Sequence, residues 1–556
     1  MESAGMRPIA ELDNRTKVLV MAGTMLGLFT AAMDQTVVAT SMPQVIADLG
    51  GFGLFSWVGT AFLLASTTTV PIVGKLSDLY GRKPFYMAGI VVLLIGSALC
   101  GLSQSVEQLI AFRIIQGFGA GMIMGIAFAI VGDVFAPSER ARWMGLMSGV
   151  FAVASVLGPL IGGTLTDHAS WRWVFYINIP LGIVALAVLF FGMPHLRPSG
   201  KAKIDYLGAA LLCAGVVPLL LAFSWAGSRY AWVSPEIIGL LTWAAAALAA
   251  FTWWELKAEE PIIQMSLFKM RIFTVSAIVT LVTGFAMMGS LFYIPLFVQG
   301  VIGSSATNSG LVTMPMMITM AIASAIAGQV MSRLGKYRLL GIGGLIVMVA
   351  GMLVMSRLDV DSSRQDVTLA MIVFGIGLGA SMPTFMLAVQ NAVPYRVLGS
   401  STSAMQFLRS VGGTMGVAVM FTVIQRTYHD GVESSAPQAV VAQPELAEAL
   451  DDPQFLLNAQ ALGQLQTAFQ GFGADGQVLF EQTMLAVRTS LADGITDAFL
   501  LSAFVLMSAV VVALFMKEQP LRRTHAVEAQ AEPVPPAGEL RPVEGGAVGL
   551  EQAHPR

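Results

Sequence analysis

The sequence predicts an all-α polytopic membrane protein with fourteen transmembrane helices. Of its 556 residues, 55% are hydrophobic and only 12% are charged, whereas about a quarter of the residues in a soluble domain are charged. A helix needs about twenty predominantly apolar residues to cross a bilayer, and fourteen such runs separate short polar segments, which excludes a soluble globular protein. The predicted spans, numbered 1 to 14, are residues 18–40, 54–73, 85–103, 107–132, 142–165, 173–193, 205–225, 235–254, 272–299, 308–331, 338–357, 367–392, 398–424 and 494–516.

Basic residues indicate the orientation of these spans. All nine lysines fall in segments on one face of the predicted bundle, and cytoplasmic segments carry an excess of Lys and Arg. We therefore predict a multi-pass protein of the cell (inner or plasma) membrane with both termini in the cytoplasm. Residues 1–17 form its N-terminal segment, and the Pro/Gly-rich residues 517–556 form a disordered tail. Residues 1–16 lack the features of a cleavable signal, so span 1 should be retained.

The cysteine and histidine content does not indicate a metal or a cofactor. Cys100 and Cys213 fall within predicted spans, where isolated cysteines usually pack as small apolar residues, and the five histidines lie in loops or in the tail. The sequence also lacks the GxxxxGK[ST] phosphate loop of an ATP-driven pump. We predict no metal, no cofactor and no nucleic-acid partner, and the lipid bilayer is the expected environment.

Two segments of the chain resemble each other. GKLSDLYGRKP, which starts at Gly74, follows span 2, and GQVMSRLGKYR, which starts at Gly328, follows span 10, with glycines seven residues apart in each. Internal repeats are typical of transporters. The sequence therefore predicts two six-helix bundles and an inserted hairpin of spans 7 and 8, which cover residues 18–193, 272–516 and 205–254 respectively.

Further motifs connect the chain to one family. Span 4 carries RIIQGFGAG from Arg113, span 5 carries GPLIGG from Gly158, and span 6 opens with WRWVFYINIPLG from Trp171. Together with the repeated segments, these motifs resemble the major facilitator superfamily, in particular its fourteen-span drug/proton antiporter branch of the EmrB/QacA type, over roughly residues 17–517. The resemblance implies a major facilitator fold.

Asp34 is a carboxylate deep within predicted span 1. It lies seventeen residues after Lys17, or about 25 Å into a core that is about 30 Å thick. Arg113 of span 4 is expected about 9 Å below the outer face, so the two side chains could meet. The pair could be a fixed link between two helices, or a proton-coupling device in which a helix movement separates the charges. The resemblance implies proton coupling by Asp34 together with Thr36.

The repeated segment after span 2 is predicted to close the cytoplasmic side in one state. Its glycines permit a tight turn, and the Asp78 carboxylate can accept hydrogen bonds from the exposed amides at the start of span 11. Arg82 and Lys83 can reach Asp133 or Glu139. The alternative is a solvated basic loop that only sets the topology. The candidate gating residues here are Gly74, Asp78, Gly81, Arg82, Lys83 and Asp133.

Span 5 contains a candidate hinge. Gly158 and Pro159 interrupt the regular hydrogen bonding of a helix, and Gly162 and Gly163 let a neighbouring helix approach closely. The alternative is that this segment only packs. The resemblance, in which the motif accompanies antiport, favours the hinge.

A cavity between the bundles is expected to bind a bulky amphipathic small molecule. Methionines are frequent in spans 9, 10 and 12, which face this cavity according to the resemblance. Flexible, polarizable side chains suit varied apolar ligands, although lipid-facing or core packing would explain many of these methionines equally well. The predicted cavity residues are Phe29, Gln35, Gln116, Asn178, Met288, Tyr293, Gln299, Met317, Gln390, Gln406 and Arg409.

Arg409 is a cation near the middle of predicted span 13. It lies about 16 Å into that span, where an arginine must pair with backbone carbonyls, water or a ligand. A structural role and a role in substrate binding or gating are both open. Because Arg409 adds positive charge and Asp34 is the only deep carboxylate found in the spans, we expect monocationic or neutral substrates rather than dications.

Residues 425–493 are predicted to form an extracytoplasmic loop between spans 13 and 14. The segment QFLLNAQALGQLQTAF, from Gln454, has the periodicity of a helix, so we predict a helical hairpin. The loop could gate the outer mouth, dock a periplasmic or lipoprotein partner, or only connect the two spans. The sequence leaves these alternatives open.

These observations predict a proton-coupled secondary efflux transporter. Such an antiporter exports hydrophobic or amphipathic compounds, such as drugs, by alternating access while protons enter. The alternative on the same fold is an exporter dedicated to one lipid or natural product. A membrane enzyme such as an acyltransferase would need a deep histidine or an acid–base pair near a mouth. The sequence has neither, so we do not predict an enzyme.

Overall fold

The fold is all-helical, as the sequence predicts. A computed structural model describes residues 13–49, 55–135, 137–194, 204–227, 229–304, 306–394, 397–450, 456 and 459–519. Within these ranges fourteen helices are long and apolar enough to cross a membrane. Most of the predicted terminal segments, residues 1–12 and 520–556, lie outside the described residues.

The helices follow one another along the chain with short connections. They are α1 (Asn14–Leu49), α2 (Phe55–Tyr80), α3 (Arg82–Leu102), α4 (Val106–Val134), α5 (Pro137–His168), α6 (Trp173–Tyr176), α7 (Asn178–Gly192), α8 (Tyr206–Trp225), α9 (Pro235–Glu255), α10 (Arg271–Leu296), α11 (Ala306–Leu334), α12 (Arg338–Met355), α13 (Arg364–Ala392), α14 (Leu398–Ser435), α15 (Gln438–Val441), α16 (Pro444–Leu450), α17 (Ala459–Phe469) and α18 (Gly476–Leu514). Helices α6 and α7 together form the sixth span, and a π-helical segment, Phe297–Val301, extends α10.

Capping side chains explain where several helices begin. The Ser105 hydroxyl accepts a hydrogen bond from the Gln108 amide at the start of α4, and Ser363 forms a reciprocal capping box with Asp366 at the start of α13. Such caps satisfy backbone amides that have no partner within the helix. The apolar residues that follow then form a membrane-spanning helix.

Matching helix crossings demonstrate the internal repeat. A side chain at Gly119 of α4 would collide with the backbone of Gly89 and Leu93 on α3, and one at Gly377 of α13 would collide with the backbone of Gly344 on α12. The turns around the repeated segments also match, because Gly81 and Gly335 have φ angles of 99° and 66°, which favour glycine. The two halves thus use the same close packing.

We expect Gly377→Ala to lower the apparent Tm of the purified protein in detergent. The added methyl group would meet the backbone nitrogen of Met348, and such overpacking costs about 1–3 kcal/mol. The matched control is Gly343→Ala on α12, where no atom lies within 4 Å of the added carbon. Equal Tm values for the two variants would contradict this account of the crossing.

Two helices extend far beyond the predicted spans. Helix α14 continues to Ser435 and α18 already begins at Gly476, so much of the predicted loop 425–493 is helical. The part of the predicted helix from Gln454 that is described as a helix is α17, because residues 454, 455, 457 and 458 lie outside the described part of the chain. The helices are longer than the predicted spans because hydropathy falls where a helix leaves the bilayer, whereas its hydrogen bonds continue.

The most extensive contacts between the two halves are made by two pairs of helices. Helix α2 packs against α14, where Gly74 lies on Ser403, and α5 packs against α11, where Gly145 lies on the backbone of Ser324. The inserted helix α8 contacts both α2 and α14. We call the side at which α3 and α5 begin the basic side, because Arg82 and Arg140 lie there.

Candidate functional site

A buried polar network surrounds Asp34 on α1, whose side chain is 0% exposed. Arg113 Nη1 lies 2.6 Å from Asp34 Oδ2. The other carboxylate oxygen, Oδ1, accepts hydrogen bonds from Gln116 Nε2 (2.7 Å) and Asn178 Nδ2 (2.8 Å). The two amides also donate to the Ser97 hydroxyl, at 2.6 and 3.1 Å. The predicted meeting of Asp34 with Arg113 is present, and its role remains a prediction.

Helix α2 holds the Arg113 guanidinium in place. Arg113 Nε donates to the Val58 carbonyl at 3.3 Å, and the guanidinium carbon lies 4.1 Å from the centre of the Phe62 ring. Because Arg113 and Gln116 are three residues apart on α4, they project from one face of the helix. Five helices, α1 to α4 and α7, therefore contribute to the position of this one ion pair.

The second half has apolar residues at the matching positions. The backbone of Gln116 lies against a glycine of α3, and the backbone of Phe374 lies against a glycine of α12 at the equivalent crossing. Arg113 stands three residues before Gln116 in the first half, and Met371 stands three residues before Phe374 in the second. Within the described residues, the polar network thus belongs to one half of the repeat.

Thr36, two residues after Asp34, connects α1 to α5. Its hydroxyl donates to the Ala154 carbonyl at 3.2 Å and lies against Gly158. Helix α5 is continuous through this region, although the Pro159 side chain lies outside the described residues. Gly162 is buried, but no atom lies within 4 Å of a side chain added at Gly163, so the close approach predicted there is wrong. The hinge itself remains a prediction.

Asp78 joins the two halves at the basic side. Its carboxylate accepts hydrogen bonds from the backbone amides of Gly399 (3.1 Å) and Ser400 (2.7 Å) at the start of α14. The sequence predicted amides at the start of span 11, which is α12, and that assignment is wrong. A helix N-terminus suits a carboxylate wherever it lies, and packing of α2 against α14 decides which N-terminus is within reach.

Arg82 links Asp78 to α4. Its guanidinium forms an ion pair with Asp78, and its Nε lies 2.7 Å from Asp133 Oδ2. All three side chains are less than 10% exposed. The structure therefore contains the predicted contact between Arg82 and Asp133, and its gating role stays a prediction.

Lys83 has a different set of partners from those predicted. Its Nζ donates to the carbonyl oxygens of Phe190 (2.7 Å) and Met193 (2.6 Å) at the end of α7. The predicted contact with Asp133 or Glu139 is wrong, because successive residues of a helix point about 100° apart and the preceding arginine already faces α4. Lys83 holds the end of α7 to the start of α3.

A cavity of about 340 Å³ lies between the halves. It extends from Phe128 and Met382 to Thr60 and Ser224, near the ends of α2 and α8 farthest from the basic side. Most of its lining is apolar, with seven methionines and five phenylalanines. The predicted cavity residues that line it are Gln35, Met288, Tyr293, Met317, Gln406 and Arg409.

Five predicted cavity residues lie elsewhere. Gln116 and Asn178 belong to the Asp34 network, and Gln390 donates to the Phe128 carbonyl at 3.1 Å. Phe29 packs in a separate apolar cluster, and Gln299 lies in the π-helical segment outside the lining. The depth of a residue follows from its position along a helix, but the face on which it projects depends on packing that the sequence does not reveal.

The inserted hairpin contributes residues that the sequence-based prediction missed. Leu220, Phe223 and Ser224 of α8 line the cavity. The hydroxyl oxygens of Ser224 and Thr60 are 3.5 Å apart, so α8 closes the gap beside α2. Nothing in the spacing of these residues distinguishes them from the lipid-facing residues of the same helix.

Two repeated six-helix units with a cavity between them define a secondary transporter fold. The chain belongs to the Major Facilitator Superfamily, whose sequence profile matches residues 24–417. The resemblance noted in the motifs is thus confirmed, and the fourteen spans agree with the fourteen-span drug efflux branch.

Relatives of known description extend over nearly the whole chain. Multidrug transporter protein MdtP of Bacillus subtilis (strain 168) is 36% identical over 527 residues, which cover 92% of this chain and 95% of the relative. Multidrug resistance protein 3 of the same organism is 37% identical over 519 residues, covering 92% and 96%. The crystal structure of the human organic anion transporter MFSD10 (TETRAN) has a TM-score of 0.56 and 15% identity, covering 88% of this chain and 99% of that chain. The structural likeness concerns the fold alone.

Proposed function

We propose that the protein exports amphipathic small molecules in exchange for protons, by alternating access across the cell membrane. The observation that carries this proposal is the buried ion pair between Asp34 and Arg113, which is present in one half of a repeated fold. The names of the two bacterial relatives, a multidrug transporter and a multidrug resistance protein, support export of varied compounds.

The repeat argues against a purely structural role for the ion pair. A buried pair is often no more stabilising than apolar residues of similar size. The second half packs the same crossing with Met371 and Phe374, so this fold does not need charges there to hold its helices together. An ionisable pair retained within a membrane indicates function.

Protonation of Asp34 would require the network to rearrange. The carboxylate now accepts three hydrogen bonds, from Arg113, Gln116 and Asn178. A protonated carboxyl is itself a donor, so one of these donors would have to turn away and the charge of Arg113 would lose its partner. The hydrogen bond from Thr36 to α5 supplies a route by which this rearrangement reaches the interface of α5 with α11.

The contacts at the basic side are consistent with one end state of the alternating-access transport cycle. Asp78 and Ser403 hold α2 and α4 to α14, since the Ser403 hydroxyl also donates to the Gly125 carbonyl at 2.7 Å. The cavity extends to the opposite side. The positive-inside rule assigns the basic side to the cytoplasm. We therefore infer that the protein is closed towards the cytoplasm in this state and that both termini are cytoplasmic.

Transport in proteoliposomes with an imposed pH gradient tests the proposal. We expect pyrene-labelled amphiphiles to move against their own gradient while protons move in the opposite direction, as reported by a pH-sensitive dye in the lumen. A protonophore should abolish the uphill movement. Movement that is unaffected by the protonophore would contradict proton coupling, and movement of only one compound in a broad panel would favour the dedicated exporter.

A further inference from the structure

Arg409 differs from the other buried cations of the described residues. Five of them have partners: Lys75 pairs with Glu260, Arg82 with Asp78 and Asp133, and Arg113 with Asp34, while Lys83 and Arg140 donate to backbone carbonyls. Arg409 is 7% exposed, and its Nε is buried without a hydrogen-bond partner in the part of the chain described. A buried cation without a counter-charge is costly, which indicates that a partner comes from outside the protein.

The guanidinium faces the cavity from a firmly packed helix. Arg409 lines the cavity, and one turn earlier on α14 the buried Oε1 of Gln406 also has no partner among the described residues. The backbone of α14 is pressed against α10, with Gly284 on the Arg409 carbonyl and Gly412 on the Leu281 carbonyl. Arg409 therefore cannot easily move away from the cavity together with its helix.

No acidic residue among those described balances this charge within the cavity. Arg409 is the only charged residue in the described lining, and the carboxylate of Asp34 is enclosed by its own donors outside that lining. The expectation of monocationic or neutral substrates counted Asp34 as the one deep carboxylate beside the charge of Arg409. Because Asp34 does not line the cavity, the charge of the cavity lining is positive.

We propose that Arg409 binds the anionic group of an amphipathic substrate, such as a carboxylate, whose apolar body lies against the methionines and phenylalanines of the cavity. A guanidinium matches a carboxylate with two parallel hydrogen bonds. The cavity volume of about 340 Å³ is within the range of small-molecule pockets, which favours a small molecule over a bilayer lipid. The inference rests on the proposed function and specifies its substrate class.

Equilibrium binding of three matched probes tests this assignment. The probes are pyrenebutanoate, its methyl ester and pyrenebutyltrimethylammonium, which share one aromatic body and differ in charge. For the purified full-length protein in neutral detergent at neutral pH, we expect the anion to bind about tenfold or more tightly than the ester, as for a hydrogen bond to a charged group, and the cation to bind most weakly. Fluorescence anisotropy measures all three affinities.

Substitution of Arg409 should remove the preference for the anion. We expect Arg409→Gln to weaken pyrenebutanoate binding about tenfold or more and to leave ester binding within about twofold, and Arg409→Lys to retain part of the preference. Unchanged ester binding also shows that the variant is folded. Arg142→Gln, at an exposed position on the basic side, removes an equal charge and should leave all three affinities unchanged.

Three results would overturn the inference. The first is that the unmodified protein binds the cation more tightly than the anion. The second is that Arg409→Gln leaves the ratio of anion affinity to ester affinity unchanged. The third is that phosphatidylglycerol displaces pyrenebutanoate, which would identify a lipid headgroup as the occupant. If Arg409→Gln does not fold, the Arg409→Lys variant and the probe order of the unmodified protein decide. These measurements need no pH gradient, so a failure of proton-driven export with the binding order intact would count against the proposed antiport alone.

Discussion

Asp34→Asn is expected to reduce proton-driven export to the level of protein-free liposomes. The amide has the size of the carboxyl but cannot alternate between charged and neutral forms. Because the Asp34 side chain lies outside the cavity lining, the affinity for pyrene-labelled amphiphiles should stay within about twofold of that of the unmodified protein. The variant should therefore bind its substrate without transporting it uphill.

The matched control for this variant is Asp430→Asn. Asp430 is exposed near the end of α14, far along the helix from the network. Export in an imposed pH gradient and probe binding in detergent should both be unchanged in the control. Export at the unmodified rate by Asp34→Asn would refute the coupling role, and a parallel loss of binding would indicate that Asp34 contacts the substrate.

Asp78→Asn is expected to destabilise the state that is closed at the basic side. The carboxylate accepts hydrogen bonds from two amides of α14 and pairs with Arg82. Hydrogen bonds that involve a charged group contribute about 1.5–3 kcal/mol, so the population of this state should fall roughly tenfold or more relative to the alternative. Transport should slow accordingly, whereas probe affinity measured in the cavity should change less.

Spin labels report this change directly. Tyr80 at the end of α2 and Leu339 at the start of α12 are exposed, on opposite halves of the basic side. We expect the distance distribution between labels at these positions to shift towards longer distances in Asp78→Asn and to remain unchanged in Asp430→Asn. An unchanged distribution combined with weaker probe binding would place the role of Asp78 in the cavity and not in the closure.

The depth of a residue within the membrane could be predicted from the sequence. The rise of a helix brought Asp34 and Arg113 to similar levels, and the structure contains their ion pair. The same reasoning could not resolve the direction in which a side chain projects around its helix. Gln116 was therefore assigned to the cavity although it faces Asp34, and only the packing of α4 against α1 and α3 determines that direction.

Partners that are distant in the sequence could not be predicted for a similar reason. The repeated glycine segments predict two related bundles, but they do not specify which helix ends adjoin. Asp78 was assigned to the wrong helix N-terminus, and Lys83 to acidic partners although it binds carbonyls of α7. Charge complementarity narrows the chemistry of a contact, while the tertiary arrangement selects the residue.

Because α14 is long, it connects contacts on the two sides of the membrane. Its 38 residues extend about 57 Å, nearly twice the roughly 30 Å thickness of the bilayer core. One end carries the amides that Asp78 binds, and near the other end the Tyr428 hydroxyl donates to the Leu450 carbonyl of α16 at 2.7 Å. A tilt of α14 that releases Asp78 is thus expected to reach the short helices α15 and α16 at the far side. An antibody fragment directed against those helices would sense, from the far side of the membrane, whether the basic side is open.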